Sequence, residues 1–155
     1  MSKPWLHPDY IIEAELVEKP SPLLQGCLQE IIPLLYIGDC SHNESYLRYM
    51  QIEVLIDCTV ELIPRSYLQY HKLYIDDNLD ININQYLEKG FKLIKDALRE
   101  GKRTLVYCSQ GISRSATLVI YYLMKTQQIT KEIALRQILQ KWPRAQPNYS
   151  FWQQL

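Results

Sequence analysis

Residues 104–117 read Thr-Leu-Val-Tyr-Cys-Ser-Gln-Gly-Ile-Ser-Arg-Ser-Ala-Thr, and no other stretch limits the possible folds as much. A short apolar run ends at Cys108, a loop follows with Gly111 at its middle, and a helical pattern begins near Ser115. Strand, tight loop and helix in that order belong to an α/β domain, whose sheet is covered by helices. The helix directs unpaired amide N–H groups and the positive end of its dipole back into the loop. A phosphate fits there, held by backbone N–H groups and the Arg114 guanidinium, with Cys108 beneath it. The same field favours a thiolate at Cys108, and Gly111 lets the backbone curl round an anion without Cβ interference. Taken singly, Cys108 also reads as a buried strand-end cysteine and Arg114 as a solvated residue at a helix start. The loop taken whole reads as an anion site.

The rest of the chain alternates β and α patterns. Ile83, Leu87, Phe91, Ile94 and Leu98 share one helical face and predict a helix over 82–99, stopped by Gly101. Strands are expected over 31–37 (interrupted by Pro33, which suits an edge), 54–58 and 72–75. Ser41 is expected to cap a short helix through Tyr49. Further helices are expected over 115–127, 131–141 and 148–155, with Thr130 and Asn148 as caps. The fold class is therefore α/β, a central, mostly parallel sheet flanked by helices. Ligands in such sheets bind outside the carboxyl ends of strands, where Cys108 falls. Pro4, Pro8, Pro20 and Pro22 set residues 1–25 apart as an N-terminal extension, leaving 26–155 as the functional domain.

Composition removes several function classes. Lys plus Arg equals Asp plus Glu, at 17 each, so no global charge recruits nucleic acid or a membrane surface. No apolar run approaches the roughly 20 residues of a transmembrane helix, and the start lacks a signal-like apolar segment. Ser2 stands where N-myristoylation needs glycine. A cytoplasmic or nuclear monomer is expected. Cys27, Cys40, Cys58 and Cys108 form no Cys-x-x-Cys pair, and His7, His42 and His71 fall at no ligand spacing. Neither a disulfide scaffold nor a metal or other cofactor is expected.

The string Cys108-Ser109-Gln110-Gly111-Ile112-Ser113-Arg114-Ser115-Ala116 resembles the active-site loop of the dual-specificity protein phosphatases, a branch of the cysteine-based tyrosine phosphatase superfamily. Leu35-Tyr36-Ile37-Gly38, Leu55-Ile56-Asp57-Cys58-Thr59, Tyr122-Leu123-Met124 and Pro147-Asn148-Tyr149-Ser150-Phe151 resemble further stretches of that family, in the same order. The closest likeness is to its small, atypical members, which are little more than a catalytic domain.

The resemblance implies hydrolysis of phosphotyrosine and phosphoserine or phosphothreonine in phosphoproteins through a cysteinyl-phosphate intermediate. It makes Cys108 the nucleophile. It assigns phosphate binding to the backbone of Ser109, Gln110, Gly111, Ile112 and Ser113 and to Arg114. Ser115 would give its hydroxyl to the Cys108 sulfur, or simply cap the helix. A general acid is also needed, and Asp76, Asp77 and Asp80 lie in one loop; matching to the family puts the acid at Asp77, while their bland role is to favour the next helix N-terminus. Cys58 reads either as a small buried residue or as the second cysteine that protects an oxidised nucleophile in some relatives.

One departure stands out. The family usually has His before the nucleophile, and this chain has Tyr107. A Tyr hydroxyl makes one hydrogen bond but carries no positive charge at neutral pH, so slower turnover than in a His-containing relative is expected. The alternative reading is a low-activity or pseudophosphatase module that binds phosphate. The RNA-triphosphatase relatives usually carry Asn-Arg-Thr at Ser113-Arg114-Ser115, which argues against an RNA substrate.

Overall fold

A computed structural model describes residues 26–61 and 68–155; the expected extension over 1–25 lies outside the described residues. The first elements among the described residues are β1 (Leu28–Ile32) and β2 (Leu35–Gly38), an antiparallel hairpin. The single strand expected over 31–37 is therefore two. The chain reverses at Pro33 and Leu34, where Leu34 takes φ 72°. Helix α1 (Glu44–Tyr49) is capped by Asn43, whose side chain accepts from the Tyr46 amide at 2.8 Å. Ser41, the expected cap, instead donates its hydroxyl to Asp39 at 2.5 Å.

Strand β3 (Val54–Asp57) follows, then β4 (Gln69–Lys72), helix α2 (Asn84–Arg99) and strand β5 (Thr104–Tyr107). Helices α3 (Arg114–Gln127), α4 (Lys131–Lys141) and α5 (Tyr149–Gln154) complete the chain. The five strands lie in the order β1-β2-β5-β3-β4, with only β1 antiparallel to its neighbour. The expected mostly parallel sheet flanked by helices is thus present. Among the described residues no helix is long and apolar enough to cross a membrane.

Alternation along the strands builds two cores. Val54, Ile56, Val106 and Cys108 turn toward the larger core, which holds the buried residues of α2, α3, α4 and α5. Leu55, Leu105 and Tyr107 turn the other way, into a smaller core closed by Tyr46 and Leu47 of α1. Leu55, Ile56, Leu105 and Val106 have no exposed surface, and each such side chain contributes about 1.5–3 kcal/mol relative to exposure. The parallel register aligns Gly38, Tyr107, Asp57 and Lys72 at one edge of the sheet. The loops after β2, β3, β4 and β5 therefore leave from one end, and the site is built there.

Candidate active site

The loop from Cys108 to Ser113 runs from β5 into α3. Gly111 takes φ 67°, a conformation that costs glycine little and other residues more. A Cβ on Gly111 would lie 2.7 Å from Cζ2 of Trp142 and 3.0 Å from the Gly38 carbonyl. Its own carbonyl accepts from the Trp142 indole N–H at 2.7 Å. The neighbouring carbonyls are held from outside too. Ser109 accepts from the Cys40 amide at 3.3 Å, Ile112 from the Gln146 amide at 2.7 Å, and Ser113 from the Thr117 hydroxyl at 2.7 Å. Among the described residues, the backbone of Ser109 to Ser113 enters these bonds through its carbonyls.

Cys108 lies at the base of this loop, buried, with Sγ 3.1 Å from Oγ of Ser115. Ser115 is not the cap. Ser113 holds that position and makes no side-chain capping bond, while Ser115, on the first turn, turns its hydroxyl to the sulfur. Arg114 opens the helix and is 6% exposed.

The Arg114 guanidinium is already partly engaged. Nη1 donates to Glu61 at 2.9 Å and to the Ile75 carbonyl at 3.1 Å. Nη2 donates to the other Glu61 oxygen at 2.6 Å and to Ser109 Oγ at 3.1 Å. Ser109 Oγ also donates to Glu61. Nε is buried and has no partner among the described residues. Burial opposes the charge on Arg114, but Glu61, with Cys108 and Asp77 nearby, outweighs it and raises the pKa. The Arg114 hydrogen bonds, aided by the Ser109 hydroxyl, hold the Glu61 carboxyl well below the usual carboxylate range. The outer fork assigned to phosphate in the sequence reading is thus occupied by Glu61, and Nε is the donor left over. Glu61 carried no sequence signal, being 53 residues from its partner.

Asp77 is exposed on the loop between β4 and α2, and its charge acts on Arg114. Asn148 ties this loop to the anion loop. Its Nδ2 donates to Asp77 Oδ1 at 2.8 Å, its amide donates to Ser113 Oγ at 2.9 Å, and its Oδ1 caps α5 through the Phe151 amide at 2.9 Å. The capping role was readable from sequence; the other two bonds were not. Asp76 and Asp80 are exposed on the same loop. Of the three, Asp77 is the one that accepts from Asn148.

Tyr107 points away from Cys108, as strand alternation requires. It is 1% exposed in the smaller core, with the His42 ring edge-on at 4.7 Å. Cys58, just past β3, is fully buried and unbridged. Burial, then the nearby Cys108 and Asp57, push its thiol pKa up. Among the described residues no group of His, Cys, Asp or Glu could hold a metal ion.

The family profile described as "Dual specificity phosphatase, catalytic domain" matches residues 35–155. Human "Dual specificity protein phosphatase 1" is 31% identical over 135 residues, covering 84% of this chain and 37% of that protein. The Xenopus laevis "Protein phosphatase Slingshot homolog" is 31% identical over 159 residues, 99% of this chain and 22% of that protein. The chain thus spans less than half the length of these curated relatives.

Solved structures agree in fold. A mouse putative dual specificity phosphatase complexed with zinc tungstate superposes with a TM-score of 0.79 at 25% identity, covering 88% of this chain and 89% of that one. The human tyrosine phosphatase-like serine/threonine/tyrosine-interacting protein gives 0.75 at 30% identity, covering 82% and 91%. A Cys and an Arg joined by a loop at a helix N-terminus, on this sheet and within this profile, make the chain a member of the dual-specificity phosphatase catalytic-domain family.

Proposed function

We propose that the chain hydrolyses phosphotyrosine and phosphoserine or phosphothreonine in proteins through a cysteinyl-phosphate intermediate. The observation that carries this reading is the buried Nε of Arg114, without a partner among the described residues, in the loop whose base is Cys108. A buried donor left unmade costs about 1–3 kcal/mol, more when charged. A phosphate oxygen relieves that cost, while the amides of Ser109, Gln110, Gly111, Ile112 and Ser113 take the other non-bridging oxygens.

The steps follow from the groups in place. The Cys108 thiolate attacks phosphorus, an S–P bond forms, and the ester O–P bond breaks. Asp77, oriented by Asn148, gives its proton to the departing oxygen, without which an alkoxide or phenoxide leaves poorly. Asp77, now a carboxylate, takes a proton from the incoming water. Water oxygen attacks phosphorus, the S–P bond breaks, and Ser115 donates its hydroxyl hydrogen bond to the returning thiolate. Phosphate leaves and the starting state is restored. General acid–base catalysis of this kind contributes about 10²–10⁴ in rate.

A second reading, a phosphate-binding module of low turnover, draws on Tyr107 at the position of the family's His and on Glu61 at the Arg114 fork. Acid quenching during turnover, followed by mass spectrometry of the peptide holding Cys108, separates the two. Catalysis puts one phosphoryl group on Cys108, enriched by Asp77→Asn if water attack is slowed more than phosphorylation. An unmodified peptide in both proteins under saturating substrate contradicts the intermediate.

A further inference from the structure

The pocket has a positive floor and a negative rim. The floor is buried Arg114 and the N-terminus of α3. Glu61, whose side chain is 45% exposed, is bonded to Arg114, the charge of Asp77 acts on the same guanidinium, and Asp76 and Asp80 are exposed on the Asp77 loop. Among the described residues, Lys72 is buried against Asp57 at 3.1 Å, and Arg144 is held by Asp39 at 2.9 Å and lies over Trp142. The buried Nε of Arg114, without a partner among the described residues, is the donor that the phosphatase reading gives to the phosphate.

We propose that the site selects phosphorylated segments with basic residues flanking the phosphorylated side chain. The inference rests on the phosphatase reading for its substrate and adds the class of segment. A phosphate oxygen on Nε and Nη2 draws Nη2 away from Glu61, leaving that carboxylate with Nη1 and the Ser109 hydroxyl and with its negative charge less neutralised. A lysine or arginine beside the phosphoresidue restores that neutralisation, and Asp76 and Asp80 extend the same attraction along the segment. Tyr149, 74% exposed and next to the Asn148 that holds Asp77, offers an aromatic face on which an arginine can stack. Acidic flanks meet the same rim with repulsion, so the charge pattern excludes as well as attracts.

The test uses two fluorescent phosphotyrosine peptides differing only in flanks, two arginines on each side in one and two aspartates in the other. Their affinities are measured with the full chain carrying Cys108→Ser, which reads the preference whether or not the wild type turns over. The basic peptide is expected to bind about tenfold tighter at about 50 mM salt, with the gap closing at about 0.5 M as screening shortens. Asp76→Asn with Asp80→Asn is expected to narrow the gap by about threefold. Wild-type kcat/KM for the two peptides should follow the same order. Equal affinities, tighter binding of the acidic peptide, or no binding of either overturns the proposal. Hydrolysis of a small aryl phosphate, run alongside, decides the phosphatase reading separately, because that substrate has no flanks.

Discussion

Arg114 shows how much chemistry depends on the shape of one side chain. Its guanidinium bridges Glu61, the Ile75 carbonyl and Ser109 while Nε has no partner among the described residues. A lysine keeps the charge but offers one ammonium with no planar fork. Arg114→Lys is therefore expected to lower kcat/KM for an aryl phosphate by about 10²–10³, the size of losing a preorganised anion donor. A loss under about threefold, by steady-state kinetics, would refute the role. Cys108, Arg114 and Ser115 were readable as candidates because they share eight consecutive residues. Glu61 and the Asn148 bond to Asp77 were not, since each depends on loops that meet only after the sheet forms.

The loop between β5 and α3 works as an element because the carbonyls of Ser109, Gly111 and Ile112 are held by Cys40, Trp142 and Gln146. Gly111 is its pivot, and Trp142 leaves no room for a side chain there. Gly111→Ala is expected to lose about 1–3 kcal/mol by denaturant unfolding, from the positive φ and the contact together, and to lose most aryl phosphate turnover. Unchanged stability and activity would show that the loop tolerates another path.

The elements themselves were legible to different degrees. Helix α2 ends as the sequence predicts, with Gly101 at φ 74° and the Lys102 amide on the Ala97 carbonyl. Thr130 and Asn148 cap α4 and α5 as expected. Strand β4 was misplaced by three residues for a physical reason. Leu73 and Ile75 alternate inward and are buried, which imitates a strand, whereas the true ladder residues Gln69–Lys72 lie on an edge and are largely polar. The β1–β2 reversal was hidden because Leu34 takes a positive φ that its side chain does not announce.

At the scale of the whole molecule, a parallel sheet gathers loops distant in sequence at one end, and the ion pair between them ties fold to site. Glu61 has a folded-state pKa lowered from its ordinary 4.5, chiefly by Arg114. Its contribution to stability is therefore present above about pH 4.5 and is lost as pH falls below it. Its 45% exposure screens that contribution. Thermal unfolding of wild type and Glu61→Gln across pH 3 to 7 should give curves that converge as pH drops; parallel curves would show that the pair adds nothing to the fold.

The central claim is that Cys108 and Asp77 act together on a phosphate ester. The most direct measurement is hydrolysis of a small aryl phosphate across pH 5 to 8 by wild type, Cys108→Ser and Asp77→Asn. Turnover abolished by the first change and reduced about 10²-fold by the second is the predicted result. Wild-type turnover no higher than that of Cys108→Ser, alongside clear vanadate binding, would contradict it and make the chain a reader of phosphorylation.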